Sequence, residues 1–286
     1  MLNDIAIIAA SGKLPQYVAN YLGKKKIRFI IISIQGITTA NFKKKYNLYS
    51  LRLGNGRKAI QILKSNSIKN IIFLGGLKKP SLLSLKPDLW SLYKIFSVLF
   101  FNKRDDSVLR RVVSIFENEG FNIIGLHNLT DVFFLKKGIY GSVDKLKKKD
   151  IQTIRKCVLK TIHWTKSDKG QSVITNNKSL ILHENEKGTD NLIKRLLMNK
   201  KLNENSYLFI KINKIHQDER IDLPTIGYKT VNYLVKSNIK YIILQADSTI
   251  ILNKKKIFKL IKKFKKTIIS VNINYFPHNN NCYIEF

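Results

Sequence analysis

The residues best able to do chemistry lie in Gln217-Asp218-Glu219-Arg220-Ile221-Asp222-Leu223-Pro224-Thr225-Ile226-Gly227. Asp218, Glu219 and Asp222 crowd together in a chain whose 52 Lys and Arg face only 19 Asp and Glu. Leu223 precedes a proline, which biases it towards extended backbone. If that extension runs backwards, His216, Asp218, Arg220 and Asp222 alternate onto one strand face, with Ile221 and Leu223 on the other. Acids flanking a cation in this way could hold Mg²⁺ and meet a phosphate at one point. The plain structural alternative is an exposed edge strand whose charges form weak surface pairs.

Other constellations are shorter. Ala10-Ser11-Gly12-Lys13-Leu14-Pro15 joins an apolar run to a helical one, where helix N-terminal amides can bind an anion. It lacks the three glycines of a dinucleotide fingerprint, so NAD binding is poorly supported. In Gly75-Gly76-Leu77-Lys78-Lys79-Pro80, two glycines allow close backbone approach and two lysines could contact phosphate. Asp105-Asp106-Ser107 precedes an amphipathic run, where capping explains the acids cheaply. Gly170-Gln171-Ser172-Val173 and Gly188-Thr189-Asp190, the latter opening a helix that carries Arg195, complete the set. Helix capping alone would account for Thr189 and Asp190. The five histidines have no metal-ligand spacing.

The elements that must position these groups fall into two halves. Ile5–Ala9, Phe29–Ser33, Asn70–Leu74 and Asn122–Gly125 read as strands. Helical stretches follow Leu14 and span Gly56–Lys64 and Ser107–Asn118. Strand–helix alternation predicts a parallel sheet covered on both faces, with ligands at the carboxyl ends of its strands. The expected class is α/β: a Rossmann-like N-terminal domain over 1–134, a lysine-rich linker over 135–150, and a distinct α/β or α+β domain over 151–286. In the second half, Ser179–His183, Tyr207–Ile212, Tyr241–Gln245 and Thr267–Ile273 read as strands. Helices are expected near Asp190–Leu197, Thr230–Val235 and Lys254–Lys266, the last with Ile257, Leu260, Ile261 and Phe264 on one face.

At 286 residues the chain has room for two cores. Two distant cysteines argue against a disulfide framework or zinc site and for a reducing compartment. Leu89–Phe101 is too short and too interrupted to span a bilayer, and the N-terminus does not resemble a signal peptide. The expected location is the cytoplasm, with attachment to the inner face of the cytoplasmic membrane left open. A formal charge of +33 attracts nucleic acid, anionic membranes and anionic substrates alike.

Taken in order, the motifs resemble the LpxI-type UDP-2,3-diacylglucosamine pyrophosphatases of lipid A biosynthesis. The resemblance runs through Ile5–Ala9 with Gly12 and Leu14-Pro15, then Gly76–Ser81, Lys86-Pro87-Asp88, Asp105-Asp106 with Leu109-Arg110, Gly120-Phe121, and Gly125-Leu126-His127. It continues through Gly170–Val173, Gly188–Asp190 with Arg195, Gln217-Asp218 with Arg220, and Asp222–Gly227. Departures fall at Ala10, Lys79, Arg104 and Lys187.

The resemblance implies a Mg²⁺-dependent hydrolase that cuts UDP-2,3-diacylglucosamine into UMP and the acylated sugar phosphate, with the lipid product held between the domains. It implies an essential acid in the Asp218–Asp222 region. Asp222 is the preferred choice, Asp218 and Asp190 the supporting metal ligands, and Arg220 the phosphate contact. Substrate contacts are expected from Gly12, Gly76, Lys78, Lys79, Asp105, Asp106, His127, Gln171, Thr189, Arg195, Gln217 and Thr225. The lipid-linked sugar nucleotide is the expected partner and nucleic acid is not; an anionic inner-membrane surface and a homodimer stay open. The competing classes are a basic nucleic-acid binder, which leaves the acidic segment unexplained, and another Rossmann-like sugar-nucleotide enzyme.

Overall fold

Five successive buried residues, Ile5–Ala9, form β1, apolar on both faces as a central parallel strand must be. The computed structural model describes residues 3–76, 88, 108–167, 170–199, 202, 206–215, 217–276 and 281–286. Contacts divide the chain into two units, Met1–Leu129 and Thr130–Phe286.

In the first unit, β1 lies between β2 (Phe29–Ile34) and β4 (Asn70–Leu74), with Ile5 opposite Phe29 and Asn70. With β3 (Leu48–Leu51) and β5 (Asn122–Ile123) the order is β3-β2-β1-β4-β5, all parallel. Helix α1 (Leu14–Lys24) takes Pro15 in its first turn, where the missing N–H costs nothing, and buries Val18, Ala19 and Leu22. Helices α2 (Gly56–Ser65), α3 (Val108–Asn118) and α4 (Leu126–Leu129) complete the described helices of this unit. Strand addition reverses between β1 and β4, which makes their exits the switch point where ligands enter such sheets. The expected Rossmann-like sheet is therefore present. Strand β3 escaped the sequence reading because Leu48–Leu51 is largely exposed and carries no buried alternation.

The second unit is built on β7 (Ser172–Thr175), β8 (Leu180–His183), β9 (Tyr207–Lys211), β11 (Ile239–Gln245), β13 (Thr267–Phe276) and β14 (Asn281–Glu285), in the order β14-β13-β11-β9-β7-β8. Strands β9, β11 and β13 run parallel, and β7 opposes β9. Both faces are covered. Tyr207 and Phe209 face a core with Leu192, Val231, Leu234 and Ile257, while Leu208 and Ile210 face one with Ile154, Val158 and Ile162. Phe209 is fully buried, so Phe209→Ala should cost about 3–5 kcal/mol.

The stretch read as a linker, 135–150, belongs to this unit. Gly138–Gly141 forms β6, antiparallel to β13, and Leu135 lies in the core. A Cβ on Gly141 would sit 2.3 Å from the Lys266 carbonyl oxygen, so the glycine is required by close pairing rather than by flexibility. Helix α5 (Lys148–Thr165) was also missed. Its buried stripe of Ile154, Cys157, Val158, Thr161, Ile162 and Thr165 keeps helical spacing, but the two threonines hide it. Each returns its hydroxyl to the helix, Thr161 to the Cys157 carbonyl at 2.8 Å and Thr165 to that of Ile162 at 2.7 Å.

Helices α6 (Gly188–Met198), α7 (Tyr228–Val235) and α8 (Lys254–Lys263) cover the other face, and β10 (Thr225–Ile226) pairs with β12 (Ile250–Ile251). As expected, α8 packs Ile257, Leu260 and Ile261 inward. No helix among the described residues is long and apolar enough to cross a membrane. Leu89–Phe101 lies outside the described residues.

Candidate active site

Topology brings three polar side chains to one end of the second sheet. Because β7 is antiparallel to β8 and β9, its first two residues lie beside their last: Ser172 pairs with Lys211, and Val173 with His183. Lys211 follows Tyr207 and Phe209 on the same face, so its side chain heads towards α6, whose first turn carries Thr189. The lysine is only 3% exposed. Its Nζ donates to Ser172 Oγ at 3.0 Å and to Thr189 Oγ1 at 2.9 Å. Thr189 in turn donates to Glu184 Oε1 at 2.5 Å, and Glu184 Oε2 accepts the Gln171 backbone N–H at 2.9 Å. Gly170 permits this approach, since a Cβ there would fall 2.9 Å from that of Glu184.

The electrostatics follow from burial and pairing. Burial pushes the Lys211 pKa below the usual lysine range, against the pull of Glu184, Asp222 and Asp190. Burial works to raise the Glu184 carboxyl, but the Lys211 charge and hydrogen bonds from Thr189, Gln171 and Ser172 prevail and hold it below the ordinary value.

The acidic segment is a turn, not the alternating strand expected from its proline. Asp222 and Ile221 donate their backbone N–H groups to the Asp218 carbonyl at 3.0 and 3.1 Å, and Asp218 Oδ1 accepts the Arg220 N–H at 3.0 Å. An aspartate side chain that satisfies the backbone two residues on competes with extension, and the influence of Pro224 stops at Leu223. Arg220 forks onto Asp218, Nε to Oδ1 at 3.0 Å and Nη2 to Oδ2 at 2.7 Å. Asp222 emerges separately. Its side chain is 46% exposed, with Oδ2 3.5 Å from Lys214 Nζ and Oδ1 3.5 Å from Gln171 Nε2. Gln171 also donates to Gln217 Oε1 at 2.8 Å, and Gln217 donates to the Asp222 carbonyl.

Asp222, Asp218 and Asp190 do not converge as a three-acid metal cage. Asp218 is held by Arg220. Asp190 accepts from Thr230 Oγ1 at 2.7 Å and faces Lys229 Nζ at 3.4 Å. Among the described residues no three His, Cys, Asp or Glu gather to hold a metal. Neither Thr189 nor Asp190 caps α6, whose N-cap is Lys187 without a side-chain bond; both side chains serve tertiary contacts instead.

Of the remaining expected residues, Gln171, Thr189 and Gln217 join the Asp222 neighbourhood. Thr225 returns its hydroxyl to the Leu223 carbonyl at 3.2 Å. Arg195 donates to the His183 carbonyl, and its buried Nε has no partner among the described residues. Gly12 and Gly76 lie together at the first unit's switch point: Ser11 and Gly76 exchange backbone bonds at 3.2 and 3.1 Å, and Gly12 N–H donates to Thr39 Oγ1 at 2.8 Å. A Cβ on Gly75 would fall 2.3 Å from the Ser11 carbonyl oxygen, so only glycine closes this junction. His127 is exposed on α4. Lys78, Lys79, Asp105, Asp106 and His216 lie outside the described residues. Sequence reasoning missed Lys211 and Glu184 as site residues. The signal for Lys211 was a lysine ending an otherwise apolar strand whose residues are all buried.

The comparisons follow both units. The LpxI N-terminal domain model matches residues 4–132, and the LpxI C-terminal domain model matches 136–269. A curated relative from Caulobacter vibrioides, UDP-2,3-diacylglucosamine pyrophosphatase LpxI, is 24% identical over 259 residues, covering 88% of this chain and 92% of the relative. With both domain models matched in order along the chain, this protein belongs to the LpxI family.

Proposed function

We propose that this protein hydrolyses the pyrophosphate of UDP-2,3-diacylglucosamine with Mg²⁺, releasing UMP and 2,3-diacylglucosamine 1-phosphate in lipid A biosynthesis. The observation that carries the reading is the half-exposed Asp222 carboxylate, oriented by Gln171 and faced by Lys214, in a chain matched by both LpxI domain models. Phosphoanhydride hydrolysis needs charge neutralisation and an in-line water more than covalent chemistry.

Magnesium commonly uses one or two protein carboxylates and completes its shell with water and substrate phosphates. Asp222 fits that role as the anchor; the three-acid set does not. Bound Mg²⁺ would neutralise phosphate oxygens. Lys214 supplies a second positive charge beside Asp222, and Arg220, fixed by Asp218, is the phosphate contact in this reading. Gln171 and Gln217 hold the Asp222 segment in place, and a carboxylate oxygen there accepts the proton of the attacking water. Water forms the new P–O bond as the bridging P–O bond breaks. The loops bearing Gly12 and Gly76 offer backbone at their own switch point for a polar part of the substrate.

The test is direct. Purified protein with detergent-dispersed UDP-2,3-diacylglucosamine and Mg²⁺ should release UMP, EDTA should stop it, and added Mg²⁺ should restore it. Turnover unchanged in chelator would remove the metal from the mechanism, and no turnover would reject the activity.

A further inference from the structure

Lys211 has no task in the turnover just described, yet a lysine almost closed off from water is costly to build and rarely without purpose. It forms no direct ion pair among the described residues; its two acceptors are hydroxyls, Ser172 Oγ and Thr189 Oγ1. From there two donors converge on Glu184, and the Gln171 side chain carries the contact onward. Thr189 donates to Glu184, Glu184 accepts the Gln171 N–H, and Gln171 reaches Asp222 Oδ1 at 3.5 Å and Gln217 at 2.8 Å. The 171–172 segment is thereby pinned twice, at the Gln171 amide by Glu184 and at the Ser172 hydroxyl by Lys211. A neutral side chain of the same length would leave two hydroxyls without their donor and Glu184 without a compensating charge.

We propose that Lys211 is a positioning residue for the hydrolysis: its buried cation fixes Ser172 and Thr189 and, through Glu184 and Gln171, sets the Asp222 carboxylate. This rests on the reading of Asp222 as the essential acid. Groups that orient a reacting residue at one remove typically contribute tenfold to a hundredfold.

The test compares the unmodified protein with Lys211→Met, the neutral pair Lys211→Met/Glu184→Gln, and Thr189→Val, which cuts the path but keeps both the cation and the shape. For each, kcat, KM, Tm and amide hydrogen exchange at Gln171 are measured. The expected result is a kcat at least tenfold lower in all three, with KM within about threefold of the unmodified value. The double variant should regain the Tm that Lys211→Met loses without regaining kcat, and Gln171 exchange should speed up at least tenfold beyond any change in global stability. Recovery of kcat to within twofold in the double variant would reduce Lys211 to a structural role and overturn the proposal. So would an effect on KM alone, or Thr189→Val with unchanged kcat should the lysine variants fail to fold. If the unmodified protein releases no UMP, the functional reading fails by itself. Gln171 exchange then decides the Lys211 path: faster exchange supports it and unchanged exchange overturns it.

Discussion

Asp222→Asn separates chemistry from folding better than any other single change. The amide keeps the shape of the carboxylate, so the turn bonds from Asp222 N–H to the Asp218 carbonyl and from Gln217 to the Asp222 carbonyl survive. What is lost is the negative charge. Its contact with Lys214 at 3.5 Å is long, and the side chain is 46% exposed, which places the pair among surface bridges worth about 0–1 kcal/mol. In a unit of this size that corresponds to about 2–4 °C in Tm at most. Loss of a positioned acid–base group removes at least about a hundredfold in rate, or about 2.7 kcal/mol of barrier lowering. The expected kinetic loss thus exceeds the expected stability loss by more than twofold in free energy. UMP release under saturating substrate, with thermal unfolding on the same preparation, measures both. A folded variant turning over within threefold of the unmodified rate would refute Asp222 as the essential acid and move the search to Glu184 or Asp190.

Three further outcomes are expected. Glu184 has a pKa below the ordinary 4.5 in the folded protein, so the stability it contributes is complete above about 4.5 and disappears as pH falls through its depressed folded value; thermal unfolding from pH 6 to 3 should show a shallower acid loss in Glu184→Gln, and equal slopes would refute the pairing. Replacing the exposed Lys255, Lys259, Lys262 and Lys263 of α8 by Gln should weaken binding to anionic vesicles while leaving turnover of dispersed substrate intact, and that binding should fade as the screening length falls from about 10 Å at 0.1 M salt to about 3 Å at 1 M; salt-independent binding would point to apolar insertion instead. Hydrolysis in ¹⁸O-water should label the sugar phosphate and leave UMP unlabelled, as attack at the phosphorus nearer the glucosamine requires; label in UMP would place the attack on the uridine side.

Much of the fold was legible because burial leaves a periodic trace. Ile5–Ala9, Asn70–Leu74 and Tyr207–Lys211 are apolar runs of strand length, and α8 repeats its apolar residues at helical spacing. What failed to show was structure whose buried groups are polar or small. Strand β6 reads Gly-Ile-Tyr-Gly, and α5 opens within a lysine run and buries threonines. The acidic segment misled for a related reason: its conformation is set by the Asp218 side chain binding local backbone, a choice that alternation of residue types does not encode. Asp222, Gln171, Thr189 and Gln217 came from motif resemblance and do assemble. Lys211 could not come from charge counting in a chain with 52 basic residues; its place at the end of an apolar strand and its burial set it apart.

The two units place their candidate groups by the same geometric logic. In the first, Gly12 and Gly76 follow the carboxyl ends of β1 and β4, and α1 begins immediately after. In the second, Lys211 closes β9, Glu184 follows β8, and α6 and α7 begin just beyond Lys187 and Gly227. Helix N-termini beside these strand ends present N–H donors, which favours anionic ligands there. An acid intended for chemistry must then be shielded from becoming one more counter-ion to those donors. Asp218 is consumed in that way by Arg220, and Asp190 is engaged by Thr230 and Lys229. Among the described residues, Asp222 keeps two contacts of 3.5 Å on its carboxylate, which leaves its oxygens available to a phosphate-bound cation or a water. The distribution of partners, more than the clustering of acids, singles it out.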